Sequence, residues 1–102
     1  MRRWAAATTP AAACRQLSYG FRLFVADGSA SRCPDRIARH GIVPDGGAVH
    51  IAGVHARHGQ ELVEASLGGG QPTTFYFLLQ DGRYRLNSIG IDIGPNTPPP
   101  PG

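Results

Sequence analysis

The sequence predicts a single α+β domain in which two to three N-terminal helices pack on a curved, four-stranded antiparallel meander. Two observations predict this fold. Helix start and stop signals fill the first 41 residues, and from residue 48 the apolar pattern changes to the alternation that is typical of strands. The length of 102 residues fits one domain with one modest core. We assign residues 1–94 to this domain and residues 95–102, which are rich in proline, to a disordered tail.

Three helices are predicted from their capping residues over residues 10–17, 19–26 and 33–41. Thr9 precedes a proline that suits the first helical position, so we expect its hydroxyl to cap the first helix. Ser18 is expected to cap the second helix in the same way. Glycines at the ends of the second and third helices provide the stop signals.

Four strands are predicted over residues 48–57, 60–67, 73–80 and 83–93. They are joined in sequence by turns that contain glycine, of which Asp81-Gly82 is the strongest hairpin signal. This order predicts a meander in which each strand pairs with the next. Curvature of such a sheet requires a glycine or a bulge, and we place it at Gly53.

The Asp81-Gly82 turn fixes a register for the last hairpin, with Leu79 opposite Tyr84, Phe77 opposite Leu86 and Phe75 opposite Ser88. Strict alternation then defines the face that turns towards the helices, and its predicted members are Val54, Val63, Ala65, Leu67, Phe75, Phe77, Leu79 and Leu86. Two other members of this face, His50 and Tyr84, could titrate or donate a hydrogen bond. The predicted inner face is therefore almost entirely apolar.

Cys14 and Cys33 are the two cysteines of the chain, and they lie 19 positions apart on different predicted helices. Neither belongs to the C-x₂₋₄-C spacing of zinc sites or to a C-x-x-C redox motif. A disulfide, which would contribute about 3 kcal/mol, explains them well and indicates an oxidising, extracytoplasmic compartment. The alternative is a pair of buried free thiols in a cytosolic protein.

The composition argues against several classes of function. All ten basic residues are arginines, scattered so that no cluster exceeds two, and this pattern does not favour nucleic acid as a partner. No apolar run approaches the ~20 residues that span a bilayer. The opening MRRWAAATTPAAAC imitates a lipoprotein signal poorly, because two threonines and a proline interrupt its apolar part.

We identify no catalytic motif, no metal site and no cofactor site in the sequence. His50, His55 and His58 lie on or beside one strand, but alternation directs His50 and His55 to opposite faces. The three histidines therefore cannot share one ion. The run of three glycines at residues 68–70 lacks the lysine and the following helix that phosphate loops need.

Three segments resemble small secreted actinobacterial domains of the nuclear transport factor 2-like superfamily, which has a cystatin-like cone fold. The first is residues 4–18, which contain Cys14. The second is the helix that begins at Cys33, and the third is the hairpin at residues 74–89 with its Asp-Gly-Arg-Tyr-Arg sequence. The resemblance covers residues 4–92. It implies a longer first helix than the one present here, so we expect that helix to be truncated and a signal or membrane anchor to lie upstream.

The resemblance implies a non-enzymatic, extracytoplasmic binding or accessory domain, secreted or part of a lipoprotein or membrane protein. One alternative is an enzyme of the ketosteroid isomerase or polyketide cyclase type, although the superfamily's enzymes place Asp, Tyr or His residues inside the cone. The other is an interaction module that dimerises through an outer sheet face bearing Tyr76, Leu78, Arg85 and Ile89. Membrane contact is expected only through the upstream anchor.

The cone resemblance also implies a mouth between the first helix and the inner sheet face, where a small apolar ligand could bind. We expect five residues there: Trp4, Phe21, His50, Phe75 and Tyr84. Aromatic area with a few polar groups is typical of small-molecule pockets. Trp4, His50 and Tyr84 are the predicted ligand-binding residues, while Phe21 and Phe75 are expected to serve mainly as core.

Overall fold

Four short helices precede a four-stranded antiparallel sheet in the computed structural model, which describes residues 1–90. The helices are α1 (Arg2–Ala5), α2 (Pro10–Arg15), α3 (Tyr19–Val25) and α4 (Cys33–Arg39). The strands are β1 (Val49–Arg57), β2 (Gln60–Leu67), β3 (Thr73–Gln80) and β4 (Arg83–Ile89), and they pair in that order. The predicted α+β meander is confirmed. Residues 91–93 of the predicted last strand and the tail at 95–102 lie outside the described residues.

The predicted capping residues begin α2 and α3. Thr9 Oγ1 accepts a hydrogen bond of 3.2 Å from the backbone N–H of Ala12, and Ser18 Oγ accepts one of 3.1 Å from the N–H of Phe21. Each bond satisfies a donor that the first turn of a helix cannot pair internally. The sequence therefore specified where both helices start.

Helix α2 ends two residues earlier than predicted, because residues 16–18 pair with the edge of β4. The N–H of Ser18 donates to the carbonyl of Leu86, and the N–H of Leu86 donates to the carbonyl of Gln16, both at 2.8 Å. Leu17 forms the parallel bridge to Leu86 and is fully buried. This pairing covers one edge of the sheet and ties the helical layer to it.

Ser18 also connects the helices to β4 through its side chain. Its hydroxyl donates a hydrogen bond of 2.8 Å to Oδ1 of Asn87, and both residues are buried. The same hydroxyl oxygen accepts the Phe21 N–H, so one small side chain serves both as helix cap and as link to the sheet. A buried polar group that is satisfied on both sides fixes the position of α3 relative to β4.

Two β-bulges correct the predicted faces of the sheet. The register of β3 and β4 shifts after Phe77 and Leu86, so Phe75 lies opposite Ile89 and not Ser88. The register of β1 and β2 shifts at Ala52, next to Gly53, where we expected the curvature. A bulge adds one residue to one strand, and this reverses the alternation beyond it.

The core lies between the helices and one face of β2, β3 and β4. Its fully buried members include Leu17, Phe21, Val25, Ile37, Ala65 and Leu86. A disulfide between Cys14 and Cys33, whose Cα atoms are 6.1 Å apart, joins α2 to α4 inside this core. The predicted cysteine pairing is thus present in the structure.

Strand β1 and the turn end of the β3–β4 hairpin extend beyond the helical layer. Val54 is 51% exposed and Leu79 is 48% exposed, and Tyr84 is also exposed, although all three were predicted on the inner face. Burial of a strand face requires helices above it, and the helices here are too short to reach these positions. The prediction that this face is buried along its whole length is wrong.

We predict that Ser18→Ala lowers the free energy of unfolding by about 1–3 kcal/mol, because it removes a buried cap and a buried link to Asn87. The matched control is Thr9→Ala, which removes the exposed cap of α2 and should cost about 0.5–1 kcal/mol. Urea unfolding followed by circular dichroism measures both. Equal losses for the two variants would contradict a role for Ser18 in joining the helices to the sheet.

Candidate functional site

A cavity of about 280 Å³ lies between α1, the segment after α4 and the helix-facing side of the sheet. Its wall is mostly apolar. The lining residues are Trp4, Gly41, Ile42, Val43, Pro44, Ala65, Leu67, Gln71, Thr73, Phe75 and Ile89. The cavity is thus built from four separate parts of the chain, and it lies at the end of the sheet away from the β3–β4 turn.

The segment after α4 forms one side of the cavity because Gly41 ends that helix in the left-handed region, with φ of 67°. This conformation favours glycine, which has no Cβ to clash with the backbone. The next residue, Ile42, donates its N–H to the carbonyl of Ile37 at 3.3 Å and is buried. The turn therefore directs Ile42, Val43 and Pro44 onto the cavity.

Trp4 provides the opposite side of the cavity from α1. Its side chain is only 3% exposed, and its indole Nε1 is buried without a hydrogen-bond partner among the described residues. Leaving a buried donor unpaired costs about 1–3 kcal/mol, so native structures rarely do so. Because Nε1 is itself inaccessible, Trp4 contributes apolar ring area to the wall, whose polar side chains are those of Gln71 and Thr73.

Two of the five residues predicted at the mouth line this cavity, namely Trp4 and Phe75. Phe21 is fully buried in the core below α3 and does not belong to the lining. The structure therefore assigns Phe21 a packing role, and it places Phe75 in both the core and the cavity wall.

His50 and Tyr84 do not line the cavity. His50 pairs with Ser66 of β2 and therefore shares its face of the sheet. The adjacent residues of β2, Ala65 and Leu67, line the cavity, and their side chains point to the opposite face. Tyr84 is separated from Ile89 by roughly 15 Å at ordinary strand rise. Both side chains are exposed and lie outside the lining of this cavity, so their role in ligand binding stays a prediction.

The sequence interpretation missed the segment Ile42–Val43–Pro44. Its signal was present, since an apolar tripeptide directly follows the glycine that ends a helix. Hydrophobic residues beyond a helix end often pack back on the structure. Three residues are too few to show helix or strand periodicity, so the sequence alone does not indicate which part of the structure these side chains contact.

The outer sheet face that was predicted as an interaction patch is largely covered. Tyr76 is buried, Leu78 and Arg85 are half-buried, and the bulge of β4 places Ile89 on the cavity side. Exposed apolar area is what distinguishes an interaction surface. These four residues do not form such a surface.

Arginines near Tyr19 form a second polar cluster. The guanidinium carbons of Arg22 and Arg85 lie 5.9 and 5.5 Å from the centre of the Tyr19 ring. Arg22 Nε donates to the carbonyl of Cys14, and Arg85 donates to that of Arg15. Burial lowers the pKa of Arg22, and the charge of Arg85 lowers this pKa further. Because these donors satisfy carbonyls at the end of α2, we assign the cluster to helix capping.

The described residues offer little other chemistry. None of the lining residues of the cavity is acidic, basic or histidine. Within residues 1–90, no three His, Cys, Asp or Glu side chains are grouped as metal ligands, and none of the helices there has the length and apolar character needed to cross a bilayer. No family model, no curated protein and no solved structure matches the chain.

We predict that Ala65→Leu fills part of the cavity and raises the free energy of unfolding by about 0.5–2 kcal/mol. The matched control is Ala13→Leu. Ala13 is just as fully buried but does not line the cavity, so the added bulk should overpack the core and cost about 1–3 kcal/mol. Thermal melts and urea titrations of both variants test this. A loss of stability in Ala65→Leu as large as in the control would mean that the cavity cannot accept added atoms.

Proposed function

We propose that this chain is a non-enzymatic, extracytoplasmic binding domain whose cavity holds a small, neutral, largely apolar molecule with one hydrogen-bond acceptor. The observation that carries this proposal is the mostly apolar wall of the cavity, in which Gln71 and Thr73 are the polar side chains. Either side chain could donate to an acceptor on the ligand, and the apolar wall would contribute the rest of the binding free energy.

The size of the cavity limits the ligand. An apolar cavity of about 150 Å³ holds benzene, and drug-sized ligands occupy about 300–1,000 Å³. The volume of 280 Å³ lies between these cases. A molecule of one or two rings with few substituents therefore fits inside it, whereas a steroid or long polyketide would extend out of its opening.

The charge of the ligand follows from the lining residues. Burying a carboxylate or phosphate is costly without a cation, and the described wall offers no cationic side chain. A ketone or ester carbonyl needs only one donor, which Thr73 or Gln71 can supply. The proposal therefore favours a neutral carbonyl compound.

The alternative functions have less support. General acid–base catalysis needs a group that exchanges protons near the substrate, and none of the described lining residues does so near neutral pH. His50 and Tyr84, which the isomerase and cyclase hypothesis requires, lie elsewhere. The interaction module was to use the outer face of Tyr76, Leu78, Arg85 and Ile89, and that face is largely covered.

The family and the compartment remain proposals on separate grounds. Helices followed by a four-stranded meander agree with the nuclear transport factor 2-like layout, and we keep that superfamily as the proposed relative. The buried disulfide supports a secreted or membrane-anchored protein, since such bonds persist in oxidising compartments. The actinobacterial origin is a further part of the same proposal.

We predict that the natively purified protein resists thiol alkylation until it is reduced, as measured by intact mass. Replacing both Cys14 and Cys33 by serine should lower the free energy of unfolding by about 3 kcal/mol or more, because the bond closes a loop in the unfolded chain and both side chains are buried. Two alkylated thiols in protein isolated from its host without reductant would contradict the disulfide and the proposed compartment together.

We predict that the protein binds 1-indanone about 3- to 10-fold more tightly than indane, which has the same rings without the carbonyl. Trp4 is the only tryptophan of the chain, so its indole N–H gives a unique resonance in ¹H–¹⁵N spectra. That resonance should shift with both compounds, because the indole ring lines the cavity. Backbone resonances of Ala65 and Phe75 should shift with both.

The control for this experiment combines Thr73→Val with Gln71→Leu, which roughly keep the size of the two side chains and remove their donors. This variant should bind both compounds with similar affinity, as measured by the backbone shifts. Ala65→Leu should weaken both compounds equally, because it occupies the cavity. The proposed function is wrong if neither compound perturbs the cavity residues of the parent protein at millimolar concentration.

A further inference from the structure

Within the described residues, one edge strand of the sheet, β4, pairs with another segment of the chain outside the sheet, whereas the other edge strand, β1, does not. Residues 16–18 pair with β4 through two backbone hydrogen bonds. At the other edge, residues 49–56 of β1 pair with β2 on one side, and no described element pairs with their other side. Such an edge presents a row of N–H and C=O groups that can pair with a further strand.

Strand β1 also lacks most features by which sheets protect an edge. It is nine residues long and contains neither proline nor lysine. Ile51 is 37% exposed and Val54 is 51% exposed, although both lie on the face that is buried in the neighbouring strands. The bulge at Ala52 is its one protective feature, and it divides the strand into two similar halves.

The bulge makes β1 complementary to itself. Val49, Ile51, Val54 and Ala56 all pair with residues on the helix-facing side of β2, so they share one face. In an antiparallel pair of two β1 strands centred between Ala52 and Gly53, Ile51 lies opposite Val54 and Val49 lies opposite Ala56. Apolar side chains then face apolar side chains on every pair of this face.

Other registers lose this match. If one β1 strand is moved by two residues along the other, a side chain of the helix-facing side lies opposite one of the outer side next to the bulge. This happens because the alternation of β1 is reversed there. On the outer face, the central register places His50 opposite His55, and no arginine lies opposite an arginine. The side chains therefore favour a single two-fold arrangement.

The backbone groups favour the same register. Gly68 N–H donates to the carbonyl of Ala48 at 2.8 Å, so alternation turns the N–H and C=O of Val49 and Ile51 away from β2. The pair Arg57–Gln60 closes the β1–β2 turn, and alternation from this pair directs the N–H and C=O groups of Val54 and Ala56 away from β2 as well. The residues that would lie opposite each other are thus the ones whose hydrogen-bonding groups are available.

We infer that a second copy of this chain pairs with the β1 edge in antiparallel orientation and forms a continuous eight-stranded sheet with two-fold symmetry. The occupant is a second copy because the edge matches itself in both side-chain pattern and hydrogen-bond direction. This surface is separate from the ligand cavity and from the outer face considered above. The inference does not depend on the proposed function.

The test compares Val54→Lys with Leu79→Lys by sedimentation equilibrium of the full chain. Both substitutions place a charge at an apolar side chain of similar exposure on the same face, but Leu79 lies on β3 away from the edge. We expect the parent and Leu79→Lys to dimerise with the same dissociation constant. Val54→Lys should weaken the dimer at least 10-fold. Circular dichroism confirms that each variant is folded.

Cross-linking tests the register. The double variant Ile51→Cys with Val54→Cys should form a reducible covalent dimer on mild oxidation, since these positions face each other across the two-fold axis. The control, His50→Cys with Val54→Cys, carries its cysteines on opposite faces and should stay uncross-linked. A parent that remains monomeric up to about 1 mM overturns the inference, as does equal cross-linking of the two double variants.

Discussion

The pairing of residues 16–18 with β4 is the contact on which the rest of the structure depends. It ends α2, buries Leu17 and places Ser18 where one hydroxyl caps α3 and bonds Asn87. The disulfide then fixes α4 to α2, so the position of the whole helical layer is set from one edge of the sheet. Helices of six or seven residues have little intrinsic stability, so they depend on being held against the sheet.

Anchoring the helices at β4 has consequences at both ends of the sheet. The layer covers most of β2, β3 and β4, whereas β1 and the turn end of the β3–β4 hairpin lie beyond its reach. Where α4 ends at Gly41, the chain returns over the sheet and meets Trp4 of α1 without filling the space between them. The cavity and the bare edge thus have one origin, which is a helical layer too small for its sheet.

The sequence predicted the main helices and the strands, but it did not predict which side of the sheet each strand residue faces. Caps and turns are local signals, so Thr9, Ser18 and Asp81-Gly82 predicted helix starts and a hairpin correctly. A bulge is set by tertiary packing, and alternation carried across Ala52 placed His50 on the wrong side. Trp4 and Phe75 are buried and line the cavity, as large aromatic side chains bury themselves in most arrangements. Exposure of Tyr84 depends on how far the helices reach, which no local pattern contains.

The cavity and the β1 edge meet on β2, and this limits how they can influence each other. Ala65 lines the cavity and pairs with Ile51, while Leu67 lines it and pairs with Val49. A ligand that changes the position of β2 must therefore move the half of β1 that would contact a second copy. If both proposals hold, any such coupling is reciprocal, so dimer formation would change ligand affinity by the same factor as the ligand changes dimer affinity. Because β1 has few contacts besides β2, it can follow β2 at little cost, and the linkage would pass through this one strand pair.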